Sequence, residues 1–245
     1  MARYQIILAY DGTDYWGFQR QKETCTVQAV LESALHKLGW QERSIIAAGR
    51  TDAGVHASGQ VVVFDLDWQH TPAALGDALN ANLPHDVAVR SVNVVQSDFH
   101  PRYDAVSRTY RYRLFCSDIR NPLKERYAWR VWPAVNQTQV DEAAQMLVGP
   151  HDFSMFGTSP RKGGTTIRQV FQSFWTKNPE EMMFEISANG FLYHMVRRLV
   201  FEQVLVGQRK LTLEEFRAGV EASKPLNPGI APPQGLELVE VVFGS

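Results

Sequence analysis

The 245-residue sequence has only two cysteines, Cys25 and Cys116, and they form no C-x-x-C pair. No disulfide framework can be built from them, and a reducing, cytoplasmic setting is expected. No run of about 18 apolar residues occurs, so no membrane-spanning helix is expected. The opening Met1-Ala2-Arg3-Tyr4-Gln5 leads straight into a strand-like run and lacks the apolar core of a signal peptide. Low-complexity tracts and sequence repeats are missing. So is an excess of either charge, since 25 basic and 26 acidic residues leave a net charge of −1. Taken over the whole chain, that balance argues against a nucleic-acid partner. Its distribution argues the other way. Between Arg102 and Arg130 lie Arg102, Arg108, Arg111, Arg113, Arg120, Lys124, Arg126 and Arg130, opposed by Asp104, Asp118 and Glu125, a local charge of +5. A concentrated basic stripe on a near-neutral protein can hold phosphates. A solvated face of surface arginines would leave the same pattern.

The 44% hydrophobic fraction and the length suffice for one large domain or two ordinary ones with real cores. Arg3 to Tyr10 reads as a strand. Tyr15 to Gln21 is a loop with three aromatics, two glutamines and Arg20, a mixture suited to stacking on bases and bonding to RNA; core packing of Trp16 and Phe18 is the other reading. Val27, Val30, Leu31, Ala34, Leu35 and Leu38 recur at helical spacing, and Gly39 stops that helix. Gln60 to Leu66 is a strand. Thr71-Pro72 reads as N-cap and first residue of a helix through about residue 82, and Asp86 to Val95 as another strand. These elements make one α+β unit, and the domain join falls near residue 105, giving halves 1–105 and 106–245. In the second half, Arg108 to Cys116 alternates as a strand with Thr109, Arg111, Arg113 and Phe115 on one face and Tyr110, Tyr112, Leu114 and Cys116 on the other. Val140 to Leu147 reads as a helix closed by Gly149-Pro150, and His151-Asp152-Phe153 as a turn with His151 structural. Ser159 to Thr166 reads as a mobile basic loop able to touch phosphate. Ile167 to Thr176 and Met183 to Ala188 read as paired strands, and Asn189 opens the longest helix. Thr212-x-x-Glu215 is a capping box, 224–234 a proline-rich loop, and 235–242 the final strand.

The stretch with most chemistry is Gly49-Arg50-Thr51-Asp52-Ala53-Gly54-Val55-His56-Ala57, between apolar runs and bracketed by glycines. A tight polar loop between two strands follows. Arg50 and Asp52 are two apart, so in an extended segment they project to one side. A neighbouring guanidinium favours the ionised carboxylate, leaving Asp52 available as nucleophile or base. The bland alternative is a surface turn with Asp52 as turn former. An Asp52/His56 metal pair would need further ligands, which no nearby Cys or His cluster supplies.

At all nine positions this stretch resembles the central motif of the tRNA pseudouridine synthase A family. Four more stretches resemble family motifs in the family's order: Tyr10 to Gln19; Ser107, Arg108, Tyr110 and Tyr112; Asn189 to Arg197; and Ala231 to Leu236. His151 to Phe156 resembles a family turn. The resemblance implies two ferredoxin-like, RRM-like α+β halves forming a continuous, mostly antiparallel sheet, with helices on one side and a catalytic cleft between the halves. It implies Asp52 as the catalytic residue, Arg197 as its ion-pair partner, and Tyr110 against the target base, with a proposed role in moving a proton. Arg50 and Arg197 would keep Asp52 charged. Arg20, Arg108 and Arg111 are candidate substrate-binding residues. The implied reaction turns uridine into pseudouridine at positions 38 to 40 of the tRNA anticodon stem–loop, with no cofactor or metal, by a homodimer; no membrane association or protein partner is indicated. The family usually continues after Arg197 with a small, Gly-led segment, where this chain has Leu199-Val200-Phe201-Glu202. Two other functions fit parts of the pattern: a catalytically silent RNA-binding module, and an Asp52/His56 metallohydrolase, against which the neighbouring arginines weigh because a cation repels a metal.

Overall fold

The computed structural model of the chain describes residues 1–160, 163–221 and 226–244. In chain order the elements are β1 (Ala2–Tyr10), α1 (Val27–Lys37), β2 (Ile46–Ala47), β3 (His56–Leu66), α2 (Pro72–Asn80), β4 (Val87–Val95), β5 (Ala105–Cys116), α3 (Pro122–Glu125), β6 (Trp129–Val131), α4 (Gln137–Gln145), β7 (Gly149–Asp152), β8 (Ile167–Lys177), β9 (Met182–Ala188), α5 (Met195–Gly207), α6 (Leu213–Glu221) and β10 (Leu236–Phe243). The class is α+β, as expected. The chain divides into two compact units, Met1–Val106 with Glu237–Ser245, and Ser107–Leu236. A linear division at residue 105 therefore misses one feature: the last strand returns to the first unit. There Glu237 and Leu238 pair in parallel with His56 and Ala57 of β3, a long-range ladder that no local pattern encodes.

In the first unit β1 is central, antiparallel to β3 on one side and to β4 on the other. Its alternation puts Tyr4, Ile6, Leu8 and Tyr10 inside. The helix α1 buries Val27, Leu31, Ala34 and Leu35, the stripe expected from its periodicity. Thr26 caps it by accepting the Ala29 N–H, and Gly39, at φ +93°, ends it. Thr71 caps α2 in the same way, with Pro72 at its first turn; that helix stops at Asn80, short of residue 82. β3 begins at His56 rather than Gln60, so the end of the nine-residue motif is strand, fixed in the sheet.

In the second unit β9 lies antiparallel to both β5 and β8, and β7 borders β8. β6 runs parallel to β5, so β5 is not an edge strand, and Arg111 and Arg113 are half-buried rather than solvated. The basic stripe is partly neutralised from outside itself: Arg111 pairs with Glu185 at 2.9 Å and Lys124 with Glu180 at 2.8 Å. Gly149–Asp152 forms a strand where the sequence read a helix stop and a turn. The His151 ring bonds the Val148 carbonyl. The Thr212–Glu215 capping box forms in both directions. Arg161 and Lys162 of the expected basic loop, and residues 224 and 225 at the start of the proline-rich loop, lie outside the described residues.

The departure at Phe201 and Glu202 is accommodated within this unit. The Phe201 ring stacks on Trp129 at 6.3 Å and 14°. It also lies over Gly229, where any side chain would collide with it. Glu202 is buried and its carboxylate accepts from the Asn227 amide at 3.2 Å. Burial pushes the Glu202 carboxyl above its ordinary value, against the lowering effect of the Asn227 bonds. The folded state therefore holds this proton more tightly than the unfolded chain. The stability from this group is complete below the ordinary value of 4.5 and is lost as pH rises through the raised one. Glu202→Gln is expected to raise the melting temperature by a few degrees at about pH 8, with the gain vanishing near about pH 4; thermal unfolding of both proteins across that range checks it.

Candidate active site

The first unit contributes a loop that is fastened at almost every residue. Between β2 and β3, Arg50 is exposed, Thr51 buried and Asp52 half-buried. The Thr51 hydroxyl lies 2.8 Å from the Tyr10 hydroxyl, and the Thr51 carbonyl accepts the Phe18 N–H at 3.1 Å. The Asp52 carbonyl accepts the Val55 N–H, which closes the turn, and the Gly54 N–H donates to the Tyr15 carbonyl. Gln60 on β3 holds the Gly49 carbonyl at 3.2 Å. The Tyr10–Phe18 segment and the Asp52 loop are thus one structure, although about 40 residues separate them. Gly17 makes this possible. Its φ is +91°, and a Cβ there would stand 2.9 Å from the Thr51 carbonyl oxygen and 3.3 Å from the Asp52 carbonyl carbon.

His56 is part of the same brace. The Gly12 N–H donates to its Nδ1 at 3.0 Å. The Asp11 carboxylate lies 3.2 Å from the same nitrogen. This nitrogen is engaged in holding the turn after β1. Among the described residues no group of three or more His, Cys, Asp or Glu is placed to hold a metal ion.

Arg20 is tied to the fold. It pairs with the buried Glu32 at 2.7 Å and donates to the Arg43 carbonyl. Glu32 also accepts from Gln28 and from the Ile45 N–H. Removing the cation from a buried carboxylate costs on the order of 3 kcal/mol, less here because Arg20 is half-exposed.

The second unit, by itself, holds Tyr110, Arg108, Arg111 and Arg197. Tyr110 on β5 is half-buried and meets the Phe191 ring edge-on, at 5.0 Å and 83°. Arg108 donates to the Asn189 carbonyl, and Asn189 is held in turn by Gln169. The helix does not open at Asn189. Residues 189–194 are a loop, bridged at Tyr193 to Thr158, and α5 starts at Met195. The break is at His194, whose φ of +65° is the left-handed conformation that a histidine seldom adopts. Arg197 then falls in the first turn of α5, where the helix dipole opposes a cation. Its guanidinium Nε donates to the Ala231 carbonyl at 2.8 Å, and the Ala231 N–H donates back to the Arg197 carbonyl. A cation placed against the dipole is not there to stabilise the helix. Tyr112, two residues beyond Tyr110, is fully buried and donates its hydroxyl to the Pro232 carbonyl at 2.8 Å; burial holds its hydroxyl well above its ordinary value. Ala231 and Pro232, both in the closing motif, thus hold Arg197 and β5. Sequence reasoning missed the roles of Tyr10, Gly17 and Ala231, though all three stand inside the matched stretches.

A family model described as "tRNA pseudouridine synthase" matches residues 6–104 and 143–244. A protein named tRNA pseudouridine synthase A from Thermoanaerobacter sp. (strain X514) is 38% identical over 99% of this chain and 100% of its own length. One of the same name from Geobacter sulfurreducens is 40% identical over the same shares. Among solved structures, a Cbf5–Nop10–Gar1 complex covers 83% of this chain and 45% of the matched one, at 10% identity and a TM-score of 0.39.

Gly17→Ala is expected to displace the Thr51–Asp52 backbone and lower turnover by roughly ten- to a hundredfold. Gly39→Ala is the control: its φ is +93°, but a Cβ there meets nothing within 4 Å, so stability alone should fall. Turnover and melting temperature of the two variants, measured together, check this.

Proposed function

Because the chain belongs to the tRNA pseudouridine synthase family, an isomerase family, we propose that Asp52 is the carboxylate through which it converts uridine to pseudouridine at positions 38, 39 and 40 of the tRNA anticodon stem–loop. The observation that carries the assignment is the Asp52 loop itself: a carboxylate on a turn held by Tyr10, Gly17, Phe18 and Gln60. Such rigidity is needed for an attack of defined geometry, whereas a turn-forming aspartate does not require it.

Pseudouridine formation breaks the N1–C1′ bond, turns the uracil and rejoins it through C5, with the C5 hydrogen lost to solvent. Nothing is oxidised or reduced, and no cofactor or metal enters. Attack on C6, attack on C1′ and a glycal route all use an ionised carboxylate. Arg50, two residues before Asp52, and Arg197 complete the assigned catalytic set. Tyr110, oriented by Phe191, lies against the target base and assists proton movement at C2′ or C5. The uridine leaves its stack to reach Asp52, at a cost of a few kcal/mol. Arg20, Arg108 and Arg111 offset this through phosphate attraction. Each also holds a bond within the protein, so each acts from a fixed position. The enzyme works as a cytoplasmic homodimer with one tRNA spanning both subunits.

Unmodified tRNA carrying tritium at C5 of uridine tests the reaction. Wild-type protein, without added metal or cofactor, is expected to release tritium, with the product at positions 38–40. Asp52→Asn is expected to bind the tRNA and release none. An active Asp52→Asn protein refutes the role of Asp52. Tight binding with no release by wild type points to a silent RNA-binding module.

A further inference from the structure

The Tyr15–Phe18 segment separates its aromatic residues sharply. Tyr15 and Phe18 are 5% and 2% exposed, whereas Trp16 between them is 64% exposed. An exposed indole is unusual, because burying it is among the largest apolar gains a chain can make. Disorder does not account for it. The Trp16 N–H donates to the Cys25 carbonyl at 2.9 Å, and its own carbonyl accepts from Gln21 at 2.7 Å. Its neighbours fasten it to the Asp52 loop, Tyr15 through the Gly54 N–H and Gly17 through its close approach to Thr51 and Asp52. The backbone is fixed on both sides by residues that touch the Asp52 loop, and the ring between them is presented to solvent.

We propose that Trp16 is a stacking platform for a nucleobase of the tRNA next to the target uridine, a proposal that rests on the function assigned above. Extruding a uridine leaves its neighbours without a stacking partner, and a rigid indole replaces that partner whatever the base identity. A rigid ring also loses little conformational freedom on binding. Gln21 and Arg20 already hold bonds within the fold, whereas the Trp16 ring is the exposed aromatic face of this segment. It acts by positioning and takes no part in bond making.

The test uses unmodified tRNA transcript with wild type, Trp16→Ala, Trp16→Phe and, as a control, Trp132→Ala, which removes another exposed indole, 58% accessible. Trp16→Ala is expected to weaken tRNA binding and raise KM by about tenfold, with kcat changed by less than about twofold. Trp16→Phe should recover most of the loss, and Trp132→Ala should bind like wild type. The slope of log K against log salt concentration should stay that of wild type in Trp16→Ala, since no phosphate contact is removed. Binding by Trp16→Ala within about twofold of wild type overturns the proposal. So does a loss that comes with a shallower salt slope, or one that follows a change of oligomeric state by sedimentation, which would make Trp16 an interface between copies. If Trp16→Ala does not fold, the reading passes to Trp16→Phe: it should lose most of the tryptophan quenching that tRNA produces, and unchanged quenching overturns the proposal. Absence of tritium release by wild type strikes the assigned reaction, and the binding comparison separates that failure from this one.

Discussion

The backbone contact between Gly17 and Thr51 ties the Asp52 loop to the segment that follows β1. Two chain segments approach there so closely that no side chain fits, and the hydrogen bonds around the contact depend on that approach. The Phe18 N–H reaches the Thr51 carbonyl, the Thr51 hydroxyl reaches Tyr10, and the Gly54 N–H reaches Tyr15. A polar loop cannot be kept rigid by apolar burial, since it has too little apolar surface. It is kept rigid by satisfying its backbone groups with fixed partners, supplied by Tyr15 and Phe18 after β1 and by Gln60 of β3.

The second unit meets a different constraint with similar means. Arg197 sits in the first turn of α5, an unfavourable place for a cation, and His194 before it adopts a left-handed conformation. Both are local costs that the surroundings must offset. The residues that do so come from the closing segment: Ala231 bonds Arg197 in both directions, Pro232 accepts the Tyr112 hydroxyl, and Gly229 leaves room for Phe201. Local strain that the rest of a fold maintains is characteristic of residues placed for chemistry rather than stability. The larger residue at Phe201 is matched by a glycine 28 positions away, so the change in packing is absorbed within the unit.

Much of this was legible in one dimension. The α1 stripe, the Thr26, Thr71 and Thr212 caps, and the inside positions of β1 follow from spacings of three, four and two and from side-chain oxygens at helix starts. The α+β class follows from their order. The motif residues were legible as well, because a charged triplet between glycines stands out against apolar strands. These signals lie within about a dozen residues of one another, and periodicity and capping act over that range.

Other features needed the folded chain. The helical reading from Asn189 onward continued a periodic pattern through His194, but the Thr158–Tyr193 bridge and the left-handed turn stop the helix short of it. The arginines of β5 could be read as solvated or as phosphate-binding, and their pairing was hidden because Glu185 is 74 residues from Arg111. Nor could the sequence separate Trp16 from Tyr15 and Phe18, since three aromatics in four residues have no period. The folded contacts, the Phe18 ring against Tyr10 and the Tyr15 hydroxyl on Asp86, accompany the two that went inward. The sequence by itself determined the α1 stripe, the caps and the position of the candidate loop, because these depend on local spacing and residue chemistry. The tertiary structure alone decided which residues brace that loop, which arginines are already paired and which aromatic faces solvent. Each of those outcomes depends on contacts between segments whose separation in sequence carries no information about their separation in space.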